Sequence, residues 1–135
     1  DIRAAADYLK SRKVPQERLV LCGASIGANL SLKAAAEGLR PAGIALLSPG
    51  LSYAGIEAGA YLEGFGAIPL LIAASRDDAY AWESAGQLTA RAKVRGLPAV
   101  FRAGPGGHGA NMLLDARPEL LDYIPGWTGK LRHTR

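Results

Sequence analysis

The chain has 135 residues, 49% of them apolar and 21% charged, which suits one domain with a buried core and leaves no material for a second. Its formal charge of +4 is spread over Arg12 and Lys13, residues 91–95 and the tail at 130–135; without a dense basic stripe interleaved with aromatics, nucleic acid is not an expected partner. A single cysteine, Cys22, excludes an intrachain disulfide and a multi-cysteine metal site, and no apolar run is long enough to span a bilayer.

Residue 1 is Asp rather than Met, so we expect a segment upstream of it to have been removed. Ile2, Ala5, Ala6 and Leu9 recur at helical spacing until Val14-Pro15, which predicts an opening amphipathic helix. Leu19-Val20-Leu21-Cys22 is a short continuous apolar run of the kind a buried parallel strand shows, with Cys22 among its buried residues. Gly23-Ala24-Ser25-Ile26-Gly27 follows it, and residues 26–39 then read as a helix that stops near Gly38. Pro41-Ala42-Gly43 leads into a second strand at 44–47, ended by Ser48-Pro49-Gly50. Residues 51–67, rich in glycine and alanine with Tyr53, Tyr61 and Phe65 among them, read as a loop with room for one short helix.

A third strand is expected at 69–74 and a helix at 82–95, with Ala85, Leu88 and Ala92 on one face. A short fourth strand follows at 99–102. Gly104-Pro105-Gly106-Gly107 forces a loop, residues 110–114 suit a helical turn, and residues 118–124 read as a closing helix that begins with Pro118. Strands alternating with helices predict an α/β fold, a parallel doubly wound sheet whose functional groups lie beyond the carboxyl ends of its strands. Ser25 follows the first strand, Asp77 and Asp78 the third, and His108 the fourth.

Those three residue types together activate a hydroxyl. A serine at its ordinary pKa is a weak nucleophile; it needs a neutral imidazole to take its proton and a carboxylate to orient that imidazole. Gly23 and Gly27 are expected to clear a strand-to-helix turn too sharp for side chains, and the N–H of Ile26 to face developing negative charge. His108 is the natural base, because the other histidine, His133, lies in the charged tail. The glycines beside His108 let its loop fold back over the sheet edge; their alternative reading is a flexible surface loop.

In that order, Gly23-Ala24-Ser25-Ile26-Gly27, Ala74-Ser75-Arg76-Asp77-Asp78 and Gly107-His108-Gly109 resemble the C-terminal half of an α/β-hydrolase. The stretch 19–127 is most similar to the small dienelactone-hydrolase-like and esterase-like members, whose serine-bearing forms carry similar Ser-Pro-Gly-Leu and Asp-Asp segments. The resemblance implies Ser25 as nucleophile, His108 as base and Asp77 as acid, three residues beyond the small Ala74. Asp78 is the alternative acid, and either carboxylate also suits a turn or a helix N-cap. Dienelactone hydrolases proper carry cysteine where Ser25 stands, so the implied activity is that of a serine esterase or related acyl hydrolase. It would act on a small-molecule acyl substrate through an acyl-enzyme, with no metal or cofactor.

Tyr53, Tyr61 and Trp82 either line the substrate pocket or pack in the core. The segment after the second strand is too short for a substantial lid, which implies an open site. The family normally has about four strands before the one that carries the nucleophile, and none precedes residues 19–22 here. The first strand is therefore expected to form an apolar edge, covered by a missing N-terminal half or by a second chain. Ile26 N–H is then the one oxyanion donor that the sequence identifies.

Two other functions compete. Gly23 to Asn29 nearly resembles the glycine motif of short-chain dehydrogenases that bind NAD(P), but Asn29 replaces the last glycine. Nor does an acid follow the second strand, or a lysine stand four residues after any tyrosine. The rival from another class is a non-catalytic hydrolase-fold module that binds a ligand or partner.

Overall fold

The continuous apolar runs form the strands of one sheet with helices on both of its faces. In the computed structural model, which describes residues 2–64, 66–114 and 119–131, the strands are β1 (Val20–Ala24), β2 (Gly43–Leu47), β3 (Ser52–Tyr53), β4 (Ile56–Glu57), β5 (Leu70–Ala74) and β6 (Ala99–Ala103). The helices are α1 (Ile2–Ser11), α2 (Ile26–Ala36), α3 (Ala58–Tyr61), α4 (Ala79–Val94) and α5 (Glu119–Leu131), with a 3-10 turn at Gly109–Leu113. The main sheet has the order β1-β2-β5-β6, and every pair in it is parallel.

Strands β2 and β5 are buried at every position, as expected for central strands of a parallel sheet. Ile44, Leu46, Leu70 and Ile72 face Ala28, Leu32 and Ala35 of α2 and Ala81, Ala85, Leu88 and Ala92 of α4. On the opposite face Leu47 and Ala73 meet Met112 and Leu120, while Ala45 and Leu71 meet Trp127 of α5. Helices thus cover both faces, which is the doubly wound arrangement. Ala6 of α1 packs with Ala34 of α2 and Leu39, next to Leu19 and Leu21 at the β1 side.

Four expectations need correction. Cys22 is exposed rather than buried. Its register partner Ala45 is covered by Trp127, but Cys22 stands one strand further out, on a β1 that pairs only with β2 among the described residues. Second, α4 begins at Ala79, because the carboxylate of Asp78 accepts a hydrogen bond from Ala81 N–H and caps the helix there.

Third, residues 51–67 hold, besides the short helix, an antiparallel hairpin of β3 and β4. Its two turn residues, Ala54 (φ 49°) and Gly55 (φ 77°), are both left-handed, the backbone that tight hairpins require. Phe65 falls outside the described residues. Fourth, α5 continues through Pro125 to Leu131 rather than ending near 124. A proline inside a helix forfeits one backbone hydrogen bond; burial of Trp127 beyond it favours continuation. Pro118, the expected first residue of this helix, also lies outside the described residues.

Trp127 is thus the main apolar cover for Ala45 and Leu71. Trp127→Ala should lower stability by about 3–5 kcal/mol, read as a fall in the midpoint of urea unfolding with an unchanged slope.

Candidate active site

β1 ends at Ala24 and α2 begins at Ile26, so the whole strand-to-helix turn falls on Ser25. The residue has φ 56° and ψ −124°, a conformation that L residues seldom adopt. It is fixed by two main-chain bonds: Ser25 N–H donates to Leu47 O at 2.8 Å, and Ala28 N–H donates to Ser25 O at 2.9 Å. A Cβ on Gly23 would lie 2.2 Å from the carbonyl oxygen of Gly27, a backbone atom that cannot swing aside. The expected need for glycine at position 27 is not found, since a Cβ there meets nothing within 4 Å. Ile26 is the first residue of α2, where backbone N–H groups have no acceptor within the helix.

The loop after β6 brings His108 to this serine. His108 Nε2 lies 2.7 Å from Ser25 Oγ, and His108 Nδ1 lies 2.5 Å from Asp78 Oδ2. With Nδ1–H donating to the carboxylate, Nε2 is free to accept from the serine hydroxyl. The acid that meets the imidazole is therefore Asp78 and not Asp77. Asp77 accepts instead from Gly107 N–H, at Oδ2 and 2.9 Å. The physical reason is the cap: Asp78 N–H closes a turn onto Ser75 O, and Oδ1 receives Ala81 N–H, which leaves Oδ2 to His108. The His108 side chain is 45% exposed against 17% for Asp78, so the carboxylate is shielded while the imidazole stays open to solvent.

Of the three aromatics singled out, one lies at the site. Tyr53 sets its ring edge-on to His108, with centroids 6.3 Å apart. Burial, with the Asp78 charge second, holds its phenol above the ordinary pKa, so it stays protonated; a hydrogen bond with Ser25 opposes this in part. Trp82 packs edge-on against Phe101 under the Arg76 guanidinium, and Tyr61 packs against the core. His133 lies outside the described residues.

Sequence reasoning missed the groups that present Tyr53. The side-chain amide of the fully buried Asn29 donates to Gly50 O and Ile56 O, at 2.9 and 2.8 Å, and its oxygen accepts from Gly50 N–H. Tyr80 O–H donates to Ser52 O at 2.9 Å and accepts from Ser52 N–H at 3.0 Å. The available signal was Asn29 itself, an amide side chain among the buried positions of α2, which are otherwise apolar except for Ser31.

Sheet order, strand-to-helix turn and flanking helices define the α/β-hydrolase fold. No family model matches the sequence, and neither does any curated protein. Solved structures do match. The crystal structure of SOBER1 from Arabidopsis thaliana superposes with a TM-score of 0.71 at 21% identity, over 96% of this chain and 60% of that one. An esterase from the fungus Rhizomucor miehei gives 0.64 at 18% identity, over 94% and 55%. EstE5, in a crystal soaked with p-nitrophenyl butyrate, gives 0.63 at 22% identity, over 94% and 56%. The chain thus spans less than two thirds of each of these structures.

The clearances at the turn separate its two glycines. Gly23→Ala should destabilise by about 3 kcal/mol or more, because backbone would have to move away from backbone. Gly27→Ala should change stability by less than about 1 kcal/mol, and helix propensity favours it. Urea unfolding of the two variants side by side checks the contrast.

Proposed function

We propose that the protein is a serine hydrolase that cleaves a carboxylic ester or related acyl bond, with Ser25 as nucleophile, His108 as general base and Asp78 as the acid that orients it. The observation that carries this reading is the continuous path from Ser25 Oγ through both imidazole nitrogens to Asp78, at 2.7 and 2.5 Å. Ser25 Oγ attacks the acyl carbon as its proton passes to His108 Nε2, and the Asp78 carboxylate stabilises the resulting imidazolium. Ile26 N–H helps to hold the oxyanion. The imidazolium then protonates the leaving group, and water deprotonated by His108 releases the acyl group from Ser25. Cys22 is a poor rival nucleophile, because it lies on the strand rather than at the turn.

A fluorophosphonate probe tests the reading. The protein should form a covalent adduct on Ser25, and both Ser25→Ala and His108→Ala should abolish labelling. Asp78→Asn should lower the turnover of a short-chain chromogenic ester by about 10⁴-fold, because the amide fixes the wrong tautomer of His108. Absence of labelling in the full-length protein would favour the non-catalytic binding module instead. That alternative draws on the single oxyanion donor identified in this chain, since losing one donor costs about 10²–10³ in rate.

We also propose that the open side of β1 pairs with a further strand, from the rest of the protein or from a second chain. It is supported by the one-sided pairing of β1, by the exposed Cys22 and by the greater length of the similar structures. Alkylation of Cys22 should be slow in the full-length protein and fast in residues 1–135 alone. A stable, monodisperse monomer of those 135 residues with full esterase activity would contradict the proposal.

A further inference from the structure

We propose that Asp77 and Ser48 are positioning residues which hold His108 from both sides through the main chain; the inference rests on the Ser25–His108–Asp78 reading and extends it. The N–H before the histidine, on Gly107, donates to Asp77 Oδ2 at 2.9 Å, and the N–H after it, on Gly109, donates to Ser48 Oγ at 2.8 Å. Gly107 and Gly109 have φ of 79° and 58° and no side chains to pack. The placement of the loop therefore depends on hydrogen bonds.

Strand order explains why these two residues carry the task. Ser25 follows β1 and His108 follows β6, three strand spacings away or roughly 14 Å. Four residues separate Ala103 from His108, and the five Cα-to-Cα steps between them reach roughly 17 Å when fully extended. The loop must cross the ends of β5 and β2 on the way. Asp77 lies beyond the end of β5 and Ser48 directly beyond the end of β2, so each crossing is pinned where it occurs.

The two anchors differ in strength. Ser48 is fully buried and its own N–H is fixed to Ala73 O at 2.7 Å, so its hydroxyl is a rigid acceptor. The Asp77 contact is exposed to solvent and competes with water. Because Asp77 and Asp78 are neighbours, one turn sets both the acid and the near side of the loop.

Steady-state hydrolysis of a short-chain chromogenic ester by the full-length protein, with fluorophosphonate labelling in parallel, tests the assignment. Ser48→Gly removes the hydroxyl while easing the left-handed backbone at φ 49°; it should lower kcat by about 10–100-fold with KM nearly unchanged. Asp77→Ala should lower kcat by about 3–10-fold, and Asp77→Asn should restore it, since the amide oxygen accepts the same N–H. If Ser48→Gly does not fold, the exposed Asp77 pair still decides. Asp77→Ala at the parent rate, or Asp77→Asn as impaired as Asp77→Ala, overturns the brace while Ser25→Ala remains inactive. Undiminished labelling of Ser25→Ala overturns instead the reading on which it rests.

Discussion

The site depends on one backbone conformation, that of Ser25 at φ 56° and ψ −124°. A non-glycine residue in such a region costs about 1–3 kcal/mol and persists only where its surroundings leave no alternative. Here the strand register fixes one side, through Ser25 N–H on Leu47 O, and the first turn of α2 fixes the other, through Ala28 N–H on Ser25 O. The apolar residues Ala28, Leu32 and Ala35 anchor that helix against the sheet. Gly23 is the local condition for all of this, because any side chain there would strike the Gly27 carbonyl. Core packing is in this way coupled to the direction of one hydroxyl.

Asp78 and His108 are positioned by different means. Asp78 is tied to α4 by its role as N-cap, so one carboxylate oxygen serves the helix and the other serves the imidazole. His108 belongs to no regular element, and the contacts to its neighbours in the loop replace the rigidity that a helix would give. Tyr53 closes one flank of the ring and is itself held by a hairpin pinned from α2 by Asn29 and from α4 by Tyr80.

What the sequence made legible follows from the range of each interaction. The four apolar runs and the stop of α2 are local signals, and they correspond to β1, β2, β5, β6 and α2 within a few residues. That Ser25 and His108 lie at one edge of the sheet was readable, because both fall at the ends of strands. The choice between Asp77 and Asp78 was not, since it turns on which carboxylate caps α4, and the start of that helix was placed three residues late. Ser48 and Asn29 carried no local mark of their partners, which lie 61 and 21 or more residues away. Pro125 reads as a helix stop, and only the tertiary burial of Trp127 overrides it.

The same sheet order creates an asymmetry in how firmly Ser25, His108 and Asp78 are held. Asp78 follows β5, an interior strand buried at every position, and the His108 loop is fastened over the ends of β5 and β2. Ser25 follows β1, which is the edge of the sheet among the described residues. An edge strand presents unpaired backbone groups and opens more readily than a central one. The most strained residue of the set therefore sits on its least supported strand. A strand added beyond β1 would enclose Ser25 between two partners and raise the cost of relaxing its backbone, without adding any atom to the path from Ser25 to Asp78.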